Sequence, residues 1–200
     1  MKRLLLSLLL VSGTAFSGTT FAQQEATLSG IIKTEDEMPA GTRVALHVVD
    51  RDSVWQREVA SVEPVGGTFS ISTTPVPEDE LTEFRSGAVL LPGLQNEYTV
   101  TPENVRYAAG RVNMYVDTND NAVFDRVTDA FYIGVPSLEN PTGFFSLVYV
   151  DQDATVTGKG IDLSLTQGWN IFMARFPEGA DPVYEVAPAV DDVKLDVFLP

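Results

Sequence analysis

The chain has 200 residues, no cysteine, a net charge of −15 and a hydrophobic content of 44%. Without cysteine it is no disulfide scaffold, and its acidic surface lacks the Lys/Arg clusters that nucleic acid requires of a partner. Its apolar content excludes intrinsic disorder, while the acidic excess suits cation binding.

The first element in chain order is a leader. Lys2 and Arg3 precede the apolar run Leu4 to Val11, and small residues stand at Thr20 and Ala22. That order predicts a secretory signal peptide over 1–22, cut before Gln23. The run is far shorter than the ~20 residues a spanning helix needs, and no later segment is apolar for longer. The expected product is therefore exported, periplasmic or secreted, with no membrane span. Cleavage removes two basic residues and no acid, so the exported chain is more acidic still.

From Gln23 onward the dominant period is two. Val44, Leu46 and Val48 share a face, then Phe69 and Ile71, then Val112, Met114 and Val116. Ile161, Leu163 and Leu165 follow, and last Val193, Leu195 and Val197. Such alternation predicts strands buried on one face. Turn formers separate them at Pro39-Ala40-Gly41, Gly66-Gly67, Pro92-Gly93, Gly158-Lys159-Gly160 and Gln167-Gly168. Helix is confined to a turn or two at Pro77 to Phe84, where proline and acids suit a first helical turn and Leu81 and Phe84 face the core. The prediction is an all-β antiparallel sandwich with little helix. Prolines and short strands disfavour a membrane barrel. One domain over 23–200 is expected, the alternative being a boundary near 96–104, where Pro102 and polar residues follow Val89-Leu90-Leu91.

Leu28 to Ile32, Gly41 to Leu46 and Gly66 to Ile71 together resemble a prealbumin-like or carboxypeptidase-regulatory-like sandwich. In those domains an opening strand leads through a glycine-rich turn to a "G-x-F-x-I" strand. The resemblance implies an immunoglobulin-like or prealbumin-like fold.

One stretch carries chemistry: Asp117-Thr118-Asn119-Asp120-Asn121-Ala122-Val123-Phe124-Asp125, followed by Asp129. Calcium takes six to eight oxygens, which a tight loop offers at positions 1, 3, 5, 7, 9 and 12. Counted from Asp117, these are Asp117, Asn119, Asn121, the Val123 carbonyl, Asp125 and Thr128, with Asp129 one residue further on. The absence of His and Cys argues against zinc. The competing reading is a solvated polar turn, since Asp and Asn tolerate tight turns. Arg111 to Val116 alternates as a strand, so the loop does not follow the helix of a helix-loop-helix hand.

The loop instead resembles the D-x-N-x-D-G-x-x-D calcium loops in immunoglobulin-like B-repeats of bacterial serine-aspartate surface adhesins. That resemblance implies a calcium site at Asp117, Asn119, Asn121, Val123, Asp125 and Asp129. Two departures weaken it: Ala122 stands where glycine is usual, and Asn121 where an aspartate would add charge. Asp151-Gln152-Asp153 would supply a further ligand if its strand neighboured the loop. Glu35-Asp36-Glu37, Glu78-Asp79-Glu80 and Asp191-Asp192 read as solvated turns.

No catalytic residue is assigned. The single imidazole, His47, falls on the face opposite Val44, Leu46 and Val48 and is predicted at the surface. No G-x-S-x-G elbow, Walker loop or H-E-x-x-H helix is present. Trp55, Trp169 and Tyr149 would stack on sugars if exposed, and pack in the core otherwise. Gly168-Trp169-Asn170 reads as a turn entering a core strand. The expected function is a non-enzymatic, calcium-stabilised structural or interaction module of the cell envelope or extracellular space. The alternative is a carbohydrate- or peptide-binding sandwich, and in either case the partner is an unidentified protein or glycan.

Overall fold

The computed structural model describes residues 23–35, 37–49, 55–84, 98–158 and 160–198. The predicted leader, the Val89-Leu90-Leu91 run and Pro92-Gly93 lie outside them. The strands are β1 (Thr27–Lys33), β2 (Thr42–Val49), β3 (Trp55–Val62), β4 (Thr68–Ser72), β5 (Thr82–Glu83), β6 (Tyr98–Thr101) and β7 (Arg106–Val116). They continue with β8 (Ala130–Glu139), β9 (Thr142–Val150), β10 (Ala154–Gly158), β11 (Ile161–Leu165), β12 (Gly168–Arg175), β13 (Val183–Ala187) and β14 (Ala189–Phe198). The predicted helical turn is a single 3-10 turn at Glu78–Glu80, followed by half-buried Leu81 and buried Phe84.

The long strand β7 organises the sheet. One edge pairs with β2 from Ala109 to Val116, and β2 pairs onward with β3. The other edge is shared: Tyr107–Gly110 pair with β9, and Met114–Val116 pair with β8. β8 and β9 form a hairpin at Leu138–Gly143 but splay before they reach β7, so the sheet forks. One branch runs β8–β14–β1–β4, the other β9–β12–β13. Among the described residues the β1–β14 pairing is parallel and the remaining strand pairings are antiparallel.

The branches meet again beyond β1. Gln24 N donates to Gln167 O at 2.9 Å, and Trp169 N donates to Gln24 O at 2.8 Å. Gly168 makes this approach possible, because it sits at φ +107 and a Cβ there would overlap the Gln24 backbone. On the opposite side β3 and β4 pack together through the Val65–Thr68 turn and a bond from Thr74 Oγ1 to Val59 O of 2.9 Å. The result is a near-closed barrel, which corrects the expected two-sheet sandwich. Short alternating strands are common to both architectures, and only the long-range register separates them.

Two cores result. Leu28, Leu46, Ile71, Met114, Leu147, Trp169 and Leu195 fill the barrel. The small sheet β6–β10–β11 covers the outer face of the second branch, enclosing Tyr98, Val100, Val148, Val156, Leu163 and Phe172. β9 and β12 feed both cores from alternate positions, so β12 is almost continuously apolar rather than alternating. The predicted one-sided strands each bury the face expected of them, Val116 being partly covered. Of the candidate boundary 96–104, residues 96 and 97 lie outside the described set. The rest is β6, which pairs with β10, and the turn after it. Among the described residues no helix is long and apolar enough to cross a membrane.

Candidate functional site

The loop over 117–129 joins β7 to β8, and it is built in two halves. At its entry Asp117 N donates to Gly41 O at 3.0 Å, tying the loop to the turn before β2. The Asp117 side chain turns inward, and its residue is 9% exposed. Its Oδ1 accepts from Asn121 N at 3.2 Å and its Oδ2 from Ala122 N at 2.6 Å. Asn119 Oδ1 accepts from the same Asn121 amide at 3.2 Å, and Asn121 Oδ1 accepts from Val123 N at 2.8 Å. In this curl the oxygens of Asp117 and Asn119 thus meet at the Asn121 amide, while the Asn121 oxygen caps Val123 one turn on. The curl requires left-handed backbone at Asp120 (φ 57) and Ala122 (φ 61).

The second half is tied by Asp129. Its Oδ1 accepts from Thr118 N at 3.0 Å and Thr118 Oγ1 at 3.1 Å, and its Oδ2 from Asp125 N at 2.7 Å. Asp125 Oδ1 accepts from Val127 N at 2.8 Å. Desolvation works to raise the Asp129 pKa, but the bonds from Asp125, Thr118 and Thr128 outweigh it and hold the carboxyl below its usual value.

The spacing therefore brings Asp117, Asn119 and Asn121 together, and links Asp125 with Asp129 on the other half. Among the described residues no three of His, Cys, Asp and Glu converge in a way that would hold a metal ion. The side-chain oxygens that cap the curl belong to one carboxylate and two amides.

The middle of the loop docks on the barrel wall. Phe124 N donates to Glu58 Oε2 at 3.0 Å, and Ser61 Oγ donates to Ala122 O at 3.2 Å. The Phe124 ring lies edge-on to His47, with centroids 5.6 Å apart, and to Tyr115, at 5.2 Å. His47 is therefore 2% exposed, against the predicted surface position. Alternation correctly turns it away from the barrel interior, but Phe124 covers that outer face. Burial, and secondarily the charge of Arg126, lower the His47 pKa to about 4. Burial likewise pushes Tyr115 up to about 12. Glu58, Ser61 and Tyr115 were not legible as partners of the loop; the only signal was an aromatic, Phe124, inside an otherwise polar turn.

Other candidates lie elsewhere. Asp151 Oδ1 caps Arg106 N at 2.9 Å and its Oδ2 accepts from Arg106 Nε at 2.9 Å, at the start of β7 rather than at its end. At ~3.3 Å per residue this is roughly 35 Å from Asp117, so Asp151 adds no ligand. Asp153 caps Gln167 N at 2.8 Å. Asp192, expected in a solvated turn, lies in β14 and pairs with Arg175 at 2.7 Å. Glu78-Asp79-Glu80 is the solvated turn expected, with Glu78 exposed and pairing at the surface with Arg106 at 2.7 Å and Glu80 with Arg57 at 2.9 Å. Trp169 and Tyr149 are buried in the barrel and offer no sugar platform, while the Trp55 side chain lies outside the description.

Ala122 provides a direct check on the curl. A left-handed alanine costs about 1–2 kcal/mol that glycine avoids, set against glycine's greater entropy when unfolded. Ala122→Gly should therefore raise stability by about 0.5–1 kcal/mol in urea denaturation. A lower midpoint in the variant would show that residue 122 is not held at positive φ.

No family model matches the chain, and comparisons with curated proteins and with solved structures likewise find no match. The functional reading rests on the loop's own chemistry.

Proposed function

We propose that this protein is an exported, non-enzymatic structural or interaction module of the cell envelope or extracellular space, stabilised by calcium in the 117–129 loop. The observation that carries this reading is the curl in which Asp117 and Asn119 aim their oxygens at one amide while Asn121 caps the next turn. Its spacing is similar to that of the calcium loops in adhesin B-repeats. A hard cation would take Asp117, Asn119 and Asn121, the Val123 carbonyl, and Asp125 and Asp129 from the second half. The two amides reduce the charge offered, which places the affinity in the millimolar range of extracellular modules. The single imidazole is buried beneath Phe124, so the docked loop does not present His47 as a general base.

The ion would act by binding the folded loop and not the unfolded chain. At a tenfold excess over Kd such binding adds about 1.4 kcal/mol, equivalent to roughly 3–6 °C in Tm for a domain of this size. The test is thermal unfolding of the protein beginning at Gln23, in chelator and in millimolar calcium, with magnesium as control. A calcium-specific rise that disappears in Asp117→Ala is expected. An unchanged wild-type midpoint would reduce the loop to a polar turn.

A further inference from the structure

We infer that the 117–129 loop is an acid-released latch, in which protonation of His47 draws the Glu58 carboxylate off the Phe124 amide and frees the loop from the barrel wall. His47, Glu58 and Phe124 lie outside the proposed ligand set, but release would carry that set with the loop, so the latch is tested in calcium-free buffer, where its failure and that of the calcium reading are distinct.

The device is one Glu58 oxygen shared by two groups, with the Tyr115 hydroxyl a further partner of the same carboxylate. Glu58 Oε2 accepts from Phe124 N at 3.0 Å and lies 3.8 Å from His47 Nε2. A neutral imidazole makes little demand on that oxygen. An imidazolium would, because a buried charge must be paired and a charge-assisted bond closes to about 2.7–2.9 Å. Reaching that distance moves the carboxylate about 1 Å toward the ring.

Charged and titratable groups near His47 include Glu58 on β3, Arg126 on the loop, and Tyr115 and Arg111 on β7, with Arg43 on β2 acting on Tyr115. Arg111 is the register partner of His47 and is exposed, and Tyr115 stays protonated throughout the acid range. Arg126 repels an imidazolium. One arginine and a ring edge therefore oppose the charge while Glu58 attracts it. The conflict is relieved when the loop lifts, carrying Phe124 and Arg126 away and admitting water to the imidazole. By linkage, acid favours the state in which His47 has its ordinary affinity for protons. Lifting would add the Phe124 ring to the Val123 and Val127 side chains, already 55% and 91% exposed, and so create an apolar patch present only in acid.

Because His47 is the chain's single histidine, its ring resonance is unambiguous in NMR. The ring, the Phe124 amide and the Trp169 indole are followed in 15N-labelled protein from pH 7.5 to 4. The expected result is one shared midpoint for the ring and the Phe124 amide, below the usual imidazole value near 6.5. Amides of residues 118–128 should exchange faster with solvent below it. The Trp169 indole, which donates to Thr74 O at 2.7 Å, should stay in place as evidence that the barrel is intact. His47→Phe should abolish the transition. A Phe124 amide that does not follow the ring, or a simultaneous loss of all three signals, would overturn the latch.

Discussion

Trp169→Ala should lower stability in urea denaturation by about 3–5 kcal/mol, the usual cost of deleting a buried tryptophan. The ring is 0% exposed and sits where the two branches of the forked sheet enclose the barrel core. It packs edge-on to Tyr149 with centroids 5.6 Å apart, and its Nε1 donates to Thr74 O at 2.7 Å. It also fills the space left by Gly110 on β7, where a Cβ would stand 2.9 Å from the indole. One side chain thus bridges β12, β9, β7 and the segment after β4. Its removal leaves a cavity and an unpaired carbonyl, against a total stability of about 5–15 kcal/mol for a domain. Trp169→Phe keeps most of the packing and loses the donor, so it should cost about 1–3 kcal/mol. Gly110→Ala should cost a similar amount by overpacking the same place. A loss under 1 kcal/mol for Trp169→Ala would mean that the branches are held by other contacts.

Acid should destabilise the fold in two separate windows, and their order identifies the groups responsible. His47 is neutral and buried in the fold with a pKa of about 4, whereas in the unfolded chain it has the ordinary value near 6.5. Below pH 6.5 the unfolded state therefore binds the proton first. Stability is complete above that value and falls as pH drops toward 4, levelling once the loop lifts and His47 regains its ordinary proton affinity, for a loss of at most about 3 kcal/mol. The carboxylates act lower. Bonds from Arg175 hold Asp192 below its usual value, and those from Asp125 and Thr118 overcome desolvation to hold Asp129 there. Their contribution is present above the ordinary carboxylate pKa near 3.9 and is lost only as pH falls through the depressed values. Urea midpoints at pH 7.5, 5.5 and 4.5 sample the first window. His47→Gln should flatten it and leave the acid limb below pH 4 unchanged. A wild-type midpoint that is level between pH 7.5 and 4.5 would mean that His47 keeps its ordinary affinity for protons in the fold.

The loop shows how far local reading extends. The curl at Asp117, Asn119 and Asn121 forms from contacts within five residues, and short oxygen-bearing side chains announce it directly. The strain at Ala122 was legible for the same reason, since the motif's glycine is missing where the backbone turns left-handed. The docking of that loop on Glu58 and Ser61 was not legible. Those partners lie about sixty residues away, and no local pattern marks which oxygen will meet which amide.

By itself the sequence determined the all-β class, the position of most strands, the single short helical turn and the polar curl after β7. Each follows from interactions between near neighbours: alternation on a pleated strand, or a side chain capping an amide two to five residues on. Tertiary structure alone decided the rest. Alternation tells which residues share a face but not what covers the other one, so it placed His47 opposite the core without foreseeing Phe124 above it. It could not show β9 and β12 lying between two cores, nor the fork at β7. Gln24 meeting Gly168 draws the near-closed barrel together across most of the chain, and that approach depends on registers between distant strands, which only the packing of the assembled sheet selects.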